Sequence, residues 1–339
     1  PDGRGCLRLR RTTRGGGAAW HAARPGRRLL PRDLAWRAGG MGWCAGWKLA
    51  SSVSNAGGLG LIGAGSMHPE VLEEHIQKTR QATQNPFGVN VPLLYPKLEE
   101  IMDVIVRNKV PIVFTSAGSP NRWTGWLKEK GIKVVHVVSS SVFAEKCEKA
   151  GVDAIVAEGF EAGGHNGREE TTTLSLIPSV REATGLPLLA AGGIASGQSM
   201  LATMILGADG VQIGSRFAIS EESSAHPDFK KLVTSLGEGS TMLSLKQLAP
   251  VRLIKNHFWE ETNKAEKSGA PVEFIQSLLG KGRAKKGIFE GDLVNGELEI
   301  GQVAAQINEI LPVQTIMKNL ISEWNTARKE LSDGEKFRF

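Results

Sequence analysis

Cysteine, tyrosine and long apolar runs are all scarce in this sequence. Its three cysteines (Cys6, Cys44 and Cys147) are too few and too scattered for a disulfide framework or a cysteine-based metal cluster. No apolar segment approaches the ~18 residues that a membrane-spanning helix needs. These absences predict a protein of the reducing cytoplasm that spans no membrane and holds no metal.

Lysine is absent from the first 38 residues, which contain ten Arg and two Asp. This segment carries a charge of +8, whereas the whole chain carries +6, so the rest of the chain sums to −2. The segment has three interpretations: a targeting peptide, a nucleic-acid-binding arm, or an artefact such as a shifted reading frame. We favour the artefact, because the composition changes abruptly at Gly39, and we expect the segment to be disordered. The near-neutral body gives no indication of a nucleic-acid partner.

From Gly39 onward, short apolar runs alternate with amphipathic stretches. Strands rich in Val, Ile and Leu, separated by single helices, indicate a buried parallel sheet. Seven strands are visible and an eighth is expected just before Gly39, so eight βα units predict a closed (β/α)8 TIM barrel. An open doubly wound sheet is the alternative, but the even repeat favours the barrel. The seven predicted strands are Leu59–Gly63, Phe87–Val91, Ile112–Thr115, Val134–Val138, Ala154–Ala157, Leu186–Ala190 and Gly210–Ile213.

The pattern changes after the last of these strands. Residues 221–300 are polar and are predicted to form a small helical cap over the barrel mouth. The segment from about Gln302 to Lys329 is predicted to form a pair of helices that pack on the barrel. The predicted α/β organisation is therefore a tail (1–38), a barrel (39–220), a helical cap (221–300) and C-terminal helices (301–339).

Two glycine-rich loops follow the last two strands of the predicted barrel. The first contains Gly192 and Gly193, and the second contains Gly214 and Ser215. Backbone N–H groups in such loops, together with the following helix N-terminus, can hold a phosphate. A single glycine pair is as often only a tight turn, but two pairs in successive loops favour phosphate binding.

His165 lies in the glycine-rich run AEGFEAGGHNG (157–167), which follows the sixth strand. An imidazole at the active end of a barrel can act as a base or an acid near neutral pH. The alternative is a structural, hydrogen-bonded histidine. Of the other histidines, His136 is typical of a strand residue and His226 of a helix cap, so His165 is the catalytic candidate.

These landmarks resemble the nitronate monooxygenase (2-nitropropane dioxygenase) family, which includes the FabK-type enoyl-acyl-carrier-protein reductases. The resemblance runs from Gly39 to roughly the C-terminus. It implies bound FMN at the barrel mouth, and it places the catalytic base or acid on His165. It differs at one point, because relatives have a strand ending in Gln before the GGM triplet where this chain has Ala38, so the first strand is expected to be disrupted. The motifs are GGMGW (39–43), SNAGGLGLIGAG (54–65), PFGVN (86–90), TSAGSP (115–120), AEGFEAGGHNG (157–167), AAGGI (190–194) and GVQIGSRF (210–217). The implied FMN contacts are Gly39, Gly40, Met41, Asn90, Glu158, Gly163, Gly193, Gln212, Gly214 and Ser215.

Three functions are compatible with the sequence. The first is the oxidation of small alkyl nitronates by O2, which requires only the barrel, FMN and a base. The second is enoyl-thioester reduction with NAD(P)H as co-substrate, which requires an acyl carrier protein to dock. A basic cluster is one candidate surface for it, although a solvated loop is the favoured interpretation of that cluster. The third, nucleic-acid binding through the Arg-rich tail, has little support. A homodimer is left open, and nitronate oxidation ranks first by a narrow margin. The basic cluster consists of Lys281, Arg283, Lys285 and Lys286.

Overall fold

The computed structural model describes residues 36–38, by their backbone only, and residues 44–333. Most of the Arg-rich tail and three predicted cofactor contacts, Gly39, Gly40 and Met41, lie outside the described residues. None of the helices in the described part is long and apolar enough to cross a membrane. The strands are β1 (Trp36–Ala38), β2 (Gly60–Gly63), β3 (Phe87–Pro92), β4 (Ile112–Ser116), β5 (Lys133–Val138), β6 (Ala154–Glu158), β7 (Gly164–His165), β8 (Leu188–Ala191), β9 (Gly210–Ile213), β10 (Thr241–Ser244) and β11 (Val251–Ile254).

Eight of these strands form one curled, fully parallel sheet with the order β1-β9-β8-β6-β5-β4-β3-β2. A helix follows nearly every strand, so the predicted (β/α)8 TIM barrel is confirmed. The helices are α1 (Trp47–Asn55), α2 (Pro69–Ala82), α3 (Leu98–Arg107), α4 (Asn121–Glu129), α5 (Ser141–Ala150), α6 (Thr173–Ala183), α7 (Gly197–Ile205), α8 (Ser215–Ala218), α9 (Pro227–Thr234), α10 (His257–Lys267), α11 (Val272–Leu279) and α12 (Val313–Asp333).

The first strand is where the sequence predicts it, directly before Gly39. It has only three residues and pairs with β9, with Ala38 opposite Ile213. Among the described residues it forms no hydrogen-bonded ladder with β2, which lies at the other end of the strand order. This strand is short and is hydrogen-bonded along one edge only, which agrees with the expected disruption of the first strand.

The eighth βα unit is split by a long insertion. Helix α12 packs against both α7 and α1, and thus occupies the place of the eighth barrel helix. Between the last barrel strand and this helix lies an insertion of residues 219–312, here called the cap insertion. The start of α12 is held by Glu222, whose carboxylate accepts hydrogen bonds from Val313 N at 3.0 and 3.1 Å. A carboxylate at a helix N-terminus satisfies unpaired N–H groups and complements the helix dipole.

The prediction that residues 221–300 are helical is wrong in part. They contain the antiparallel strands β10 and β11, and β11 also pairs with β7 from the barrel mouth. Each of these cap strands has four residues, which is too short for a hydrophobic period to reveal. The prediction of two C-terminal helices is also wrong, because a 3-10 turn (Gln302–Gln306) precedes one long helix, α12. Pro312 and the Glu222 contact set the start of that helix after the turn.

Candidate functional site

Strand alternation determines which side chains face the barrel interior. The interior cluster includes Leu61, Phe114, Val156 and Ala191, whereas their neighbours along each strand pack against the helices. Because successive strand residues point to opposite faces, positions two further along point inward again. This alternation places three predicted cofactor residues, Asn90, Glu158 and Gln212, inward at the carboxyl ends of β3, β6 and β9.

Glu158 and Gln212 lie at one level of the sheet. Glu158 pairs with Ala191, and Ala191 pairs with Gln212, so the two residues are separated by a single strand. The strand spacing puts their backbones about 10 Å apart. Oε1 of Gln212 is buried, and it has no hydrogen-bond partner within the described part of the chain. A buried amide oxygen without a partner costs free energy, and a donor group of a bound ring would satisfy it.

Glu158 differs chemically from an ordinary carboxylate. Burial raises its pKa to about 7, because the charged form loses hydration in the barrel mouth. In a large fraction of the molecules the Glu158 carboxyl is therefore protonated near neutral pH and can donate a hydrogen bond. A carboxyl in this state offers a ligand both a hydrogen-bond donor and an acceptor.

The glycine-rich loop after β8 requires glycine for geometric reasons. Gly192 and Gly193 have φ values of +93° and +68°, in the left-handed region that other residues avoid. A Cβ on Gly192 would lie 2.6 Å from Gly159 O, so the loop after β6 packs closely on this one. Thr173 Oγ1 donates to Gly192 O at 2.9 Å and stabilises this arrangement. The turn-only interpretation thus explains Gly192, while Gly193 at the mouth remains a cofactor candidate.

The second predicted phosphate loop touches the cap insertion. Ser215 Oγ accepts a hydrogen bond from Gly301 N at 3.0 Å, which leaves its own O–H to donate elsewhere. Gly163 packs against the same segment, since a Cβ there would lie 2.4 Å from Ile300 C. Gly214 is the N-cap of the short helix α8. The structure therefore brings Gly163 and Ser215 together around residues 300–301, and Gly214 directly precedes Ser215 in the chain.

His165 is exposed and lies in the two-residue strand β7, opposite Val251 of β11. It lines a cavity of about 300 Å³ together with the 245–251 loop, the 279–285 segment and Glu297. Glu297 is buried, and its pKa is raised by burial and by the adjacent Glu299 carboxylate, while His165 and Arg283 oppose the shift. His165 and a carboxyl whose pKa is raised thus share one cavity.

Sequence reasoning missed the residue that fixes the His165 loop to the cap insertion. Arg252 is only 2% exposed and donates from Nε and Nη2 to Phe160 O at 3.1 and 2.7 Å. Its guanidinium also lies 5.0 Å from the centre of the Phe160 ring. An arginine inside the apolar run VRLI is an available signal for a buried, paired cation. The direction of its side chain could not be inferred, because the strand pairing of β11 with β7 was unknown.

The basic cluster considered as a candidate carrier-protein surface forms most of its contacts within the chain. Lys285 and Lys286 form ion pairs with Glu290 and Asp292 at 2.7 and 2.9 Å. Arg283 donates to the carbonyls of Leu279 and Asn295 and stacks on a phenylalanine ring. Because the two lysines are paired with carboxylates and the Arg283 guanidinium already donates within the chain, these three residues provide a weak surface for an acidic partner.

His136 and His226 adopt the roles that the sequence predicts. The His136 ring is buried on β5 with Nδ1 2.7 Å from Thr115 Oγ1, and burial lowers its pKa to about 4, so it stays neutral. His226 is the N-cap of α9, and its Nδ1 accepts a hydrogen bond from Asp228 N at 3.2 Å. Neither histidine competes with His165 as the reactive imidazole.

Comparison with known proteins agrees with this geometry. The family model for nitronate monooxygenase matches residues 34–103 and 94–323. A probable nitronate monooxygenase from Staphylococcus aureus is 34% identical over 323 residues, covering 82% of this chain and 90% of the relative. The structure of FabK from Thermotoga maritima has a TM-score of 0.84 and 38% identity, covering 88% of this chain and 95% of that chain.

A nitroalkane oxidase from Streptomyces ansochromogenes has a TM-score of 0.76 and 28% identity, covering 88% of this chain and 97% of that chain. Enzymes of this group are generally flavin-dependent and act on small molecules. The chain is therefore an oxidoreductase that belongs to the nitronate monooxygenase family.

Proposed function

We propose that this protein is an FMN-dependent nitronate monooxygenase that oxidises alkyl nitronates with O2. The observation that carries the proposal is the cavity beside His165. Aliphatic side chains and one imidazole–carboxyl combination line it, and its two cations, Arg283 and Lys285, are engaged elsewhere. Such a site suits a small, largely apolar substrate whose single polar end meets the imidazole.

The residues at the barrel mouth fit a flavin. The unpartnered Oε1 of Gln212 and the protonated share of Glu158 offer an acceptor and a donor to the ring. Gly193, Gly214 and Ser215 are proposed to hold the phosphate through backbone N–H groups and the Ser215 hydroxyl. Asn90 is the third inward-facing residue of the proposed flavin site, beside Glu158 and Gln212. When bound, FMN accepts electrons from the substrate and passes them to O2.

His165 is proposed to be the residue that handles the proton. Its imidazole acts as a base on the neutral nitroalkane: it takes the α-proton from carbon, the C–H electron pair moves into the nitro group, and the bound nitronate results. Arg252 holds the backbone of this loop through Phe160 O, so the imidazole keeps its place between the barrel and the cap insertion.

The test is a visible absorption spectrum of the purified protein under anaerobic conditions. A bound-flavin spectrum is expected that changes when propyl nitronate is added, stays unchanged with NADH or NADPH, and recovers in air. Prompt bleaching by NADH or NADPH, with no response to nitronate, would overturn the proposal. A colourless protein that does not take up added FMN would overturn the cofactor assignment.

One observation favours a second candidate, NAD(P)H-dependent enoyl-thioester reduction. The likeness to FabK, at 38% identity and a TM-score of 0.84, exceeds the likeness to the nitroalkane oxidase in both measures. The engaged basic cluster counts against carrier-protein docking at that surface. The same spectrum separates the two functions, because only the reductase consumes NADH or NADPH.

A further inference from the structure

Strand β11 places a pair of glutamates beside the His165 loop. Along one of its edges, β11 pairs with His165 and then with Gly164. The next residue on that edge, Leu253, pairs with Glu299. Glu299 and Gly164 therefore occupy consecutive positions along β11, although they are far apart in the chain. The Glu299 carboxylate lies against Gly164, where a Cβ would be 2.8 Å from Glu299 Oε2.

Glu297 is the member of the pair that reaches the cavity. It lies two residues before Glu299, so both side chains leave the extended segment on the same face. The Glu297 side chain is 7% exposed and lines the cavity that also contains His165. Among the described residues, its carboxyl has neither a hydrogen-bond donor nor an ion-pair partner. A buried carboxyl without a partner costs free energy, and a proton-transfer role explains its place on this wall.

The surroundings of the pair favour exchange of a proton. Burial raises the pKa of Glu297 and of Glu299, and the Glu299 charge raises that of Glu297 further. A carboxyl shifted in this direction exchanges a proton with an imidazole at a small cost, because proton transfer is most efficient between groups that titrate near the working pH. The titratable and charged groups that surround the pair are His165, Arg283, Lys285, Cys44 and Lys230.

We propose that Glu297 is a proton relay that serves His165, with Glu299 as its positioning residue. After the imidazole has taken the α-proton from a nitroalkane, the N–H bond of the imidazolium breaks, an O–H bond forms on the Glu297 carboxylate, and neutral imidazole is restored. The Glu297 carboxyl then releases the proton to water in the half-open cavity. Glu299 acts through Glu297, since its charge makes that carboxylate a better proton acceptor. The inference rests on the proposed function and adds the route by which the proton leaves.

The test is hydrogen exchange at the α-carbon of 1-nitropropane in D2O, followed by proton NMR with the full chain and without O2. Abstraction of the proton and return of a deuteron replaces C–H by C–D, and no oxidation is needed. In Glu297→Gln the imidazolium returns the proton that it took, so the exchange rate is expected to fall at least about tenfold. Phosphate buffer accepts the proton in place of Glu297, so it should restore the rate in this variant and leave the native rate unchanged.

Two control variants separate proton transfer from structure. Glu297→Asp keeps a carboxyl on the cavity wall and should exchange faster than Glu297→Gln. Glu260→Gln changes an exposed glutamate in the first turn of α10 and should exchange at the native rate. A native rate in Glu297→Gln, or a loss that phosphate does not restore, would overturn the relay.

A third variant, Glu299→Gln, tests the pair even if Glu297→Gln folds poorly. Without the neighbouring charge, the pKa of Glu297 falls toward its ordinary value. The exchange rate should therefore reach half of its maximum at a lower pH than in the native chain. An unchanged pH profile would contradict the role of Glu299.

Oxygen consumption separates the relay from the proposed function. Exchange that depends on Glu297, without O2 consumption when air is admitted, would support the relay and contradict the monooxygenase. O2 consumption together with exchange that does not depend on Glu297 would support the monooxygenase and contradict the relay.

Discussion

The barrel and the cap insertion are stabilised by different kinds of contact. The barrel interior consists of apolar strand residues, and the buried polar residues of its strands and helices are mainly Ser and Thr. Among the described residues, the most deeply buried Lys, Arg and Glu side chains are Arg216, in the last short barrel helix, and Lys230, Arg252 and Glu297 of the cap insertion, whereas Glu158 at the barrel mouth is half-buried. A repeated fold can form from hydrophobic periodicity, whereas an irregular cap depends on a few specific polar contacts.

Lys230 illustrates the polar kind of stabilisation. Its ammonium is buried and donates to the carbonyls of Ser220, Glu221 and Ser223 at 2.7, 3.2 and 2.8 Å. Burial lowers its pKa, so the carbonyls compensate only part of the lost hydration. These contacts fix the point where the cap insertion leaves the barrel, next to the Glu222 contact with α12.

The largest effect expected for the comparison of the barrel with the cap insertion is on activity. His165→Ala is expected to lower kcat/KM for neutral nitroalkanes by about 100- to 10,000-fold, because the base that removes their α-proton is lost, and to affect nitronates, which have already lost that proton, much less. The flavin spectrum should stay unchanged, since the barrel holds the cofactor. Steady-state kinetics and absorbance measure both. His257→Ala, an exposed histidine at the start of α10, is the control and should keep full activity. Equal losses in the two variants would contradict the assignment.

The second test concerns stability. Lys230→Met should lower the free energy of unfolding by about 3 kcal/mol, because three buried carbonyls lose a charged donor. Chemical denaturation measures this change. Lys231→Met is the neighbouring control, with a side chain 72% exposed, and should stay within about 0.5 kcal/mol. A stable Lys230 variant would show that the cap insertion does not depend on this contact.

The third test separates cofactor binding from folding within the barrel. Gln212→Leu removes a buried amide oxygen that lacks a partner, so the apoprotein should gain about 1 kcal/mol of stability. Flavin affinity should fall about tenfold, because a ring contact is lost. Gln198→Leu, on an exposed position of α7, should change neither quantity. Unfolding of the apoprotein and FMN titration are the measurements, and unaltered FMN affinity would exclude a ring contact.

The smallest expected effect is a change in pH dependence. Glu158 has a folded pKa of about 7, above its ordinary value, so the folded apoprotein binds more protons than the unfolded chain between these values. Its stability should therefore fall as the pH rises from about 4.5 to about 7. Glu158→Gln should flatten that decline, which unfolding experiments at several pH values would measure. The effect is small because the side chain is partly exposed. An identical pH profile in both chains would contradict the raised pKa.

The barrel could be predicted from the sequence because each strand is a short run of Val, Ile and Leu bounded by helix signals. The predicted strand Phe87–Val91 ends within one residue of the observed β3, and Gly210–Ile213 matches β9. The cap strands β10 and β11 were missed, since four residues show no clear period. His165 stood out by its glycine-rich context, although its role in proton transfer remains a prediction.

The sequence by itself determined the barrel, the order of its strands and the loops that carry His165 and the late glycines, because these depend on local periodicity and turn residues. Only the tertiary structure decided what surrounds them. Arg252 meets Phe160, Glu297 shares a cavity with His165, and Leu245 takes a left-handed turn against Glu266. Each of these contacts joins residues that are separated by 20 or more positions in the chain. The strands and helices of the cap insertion bring them together, and no local sequence pattern encodes that packing.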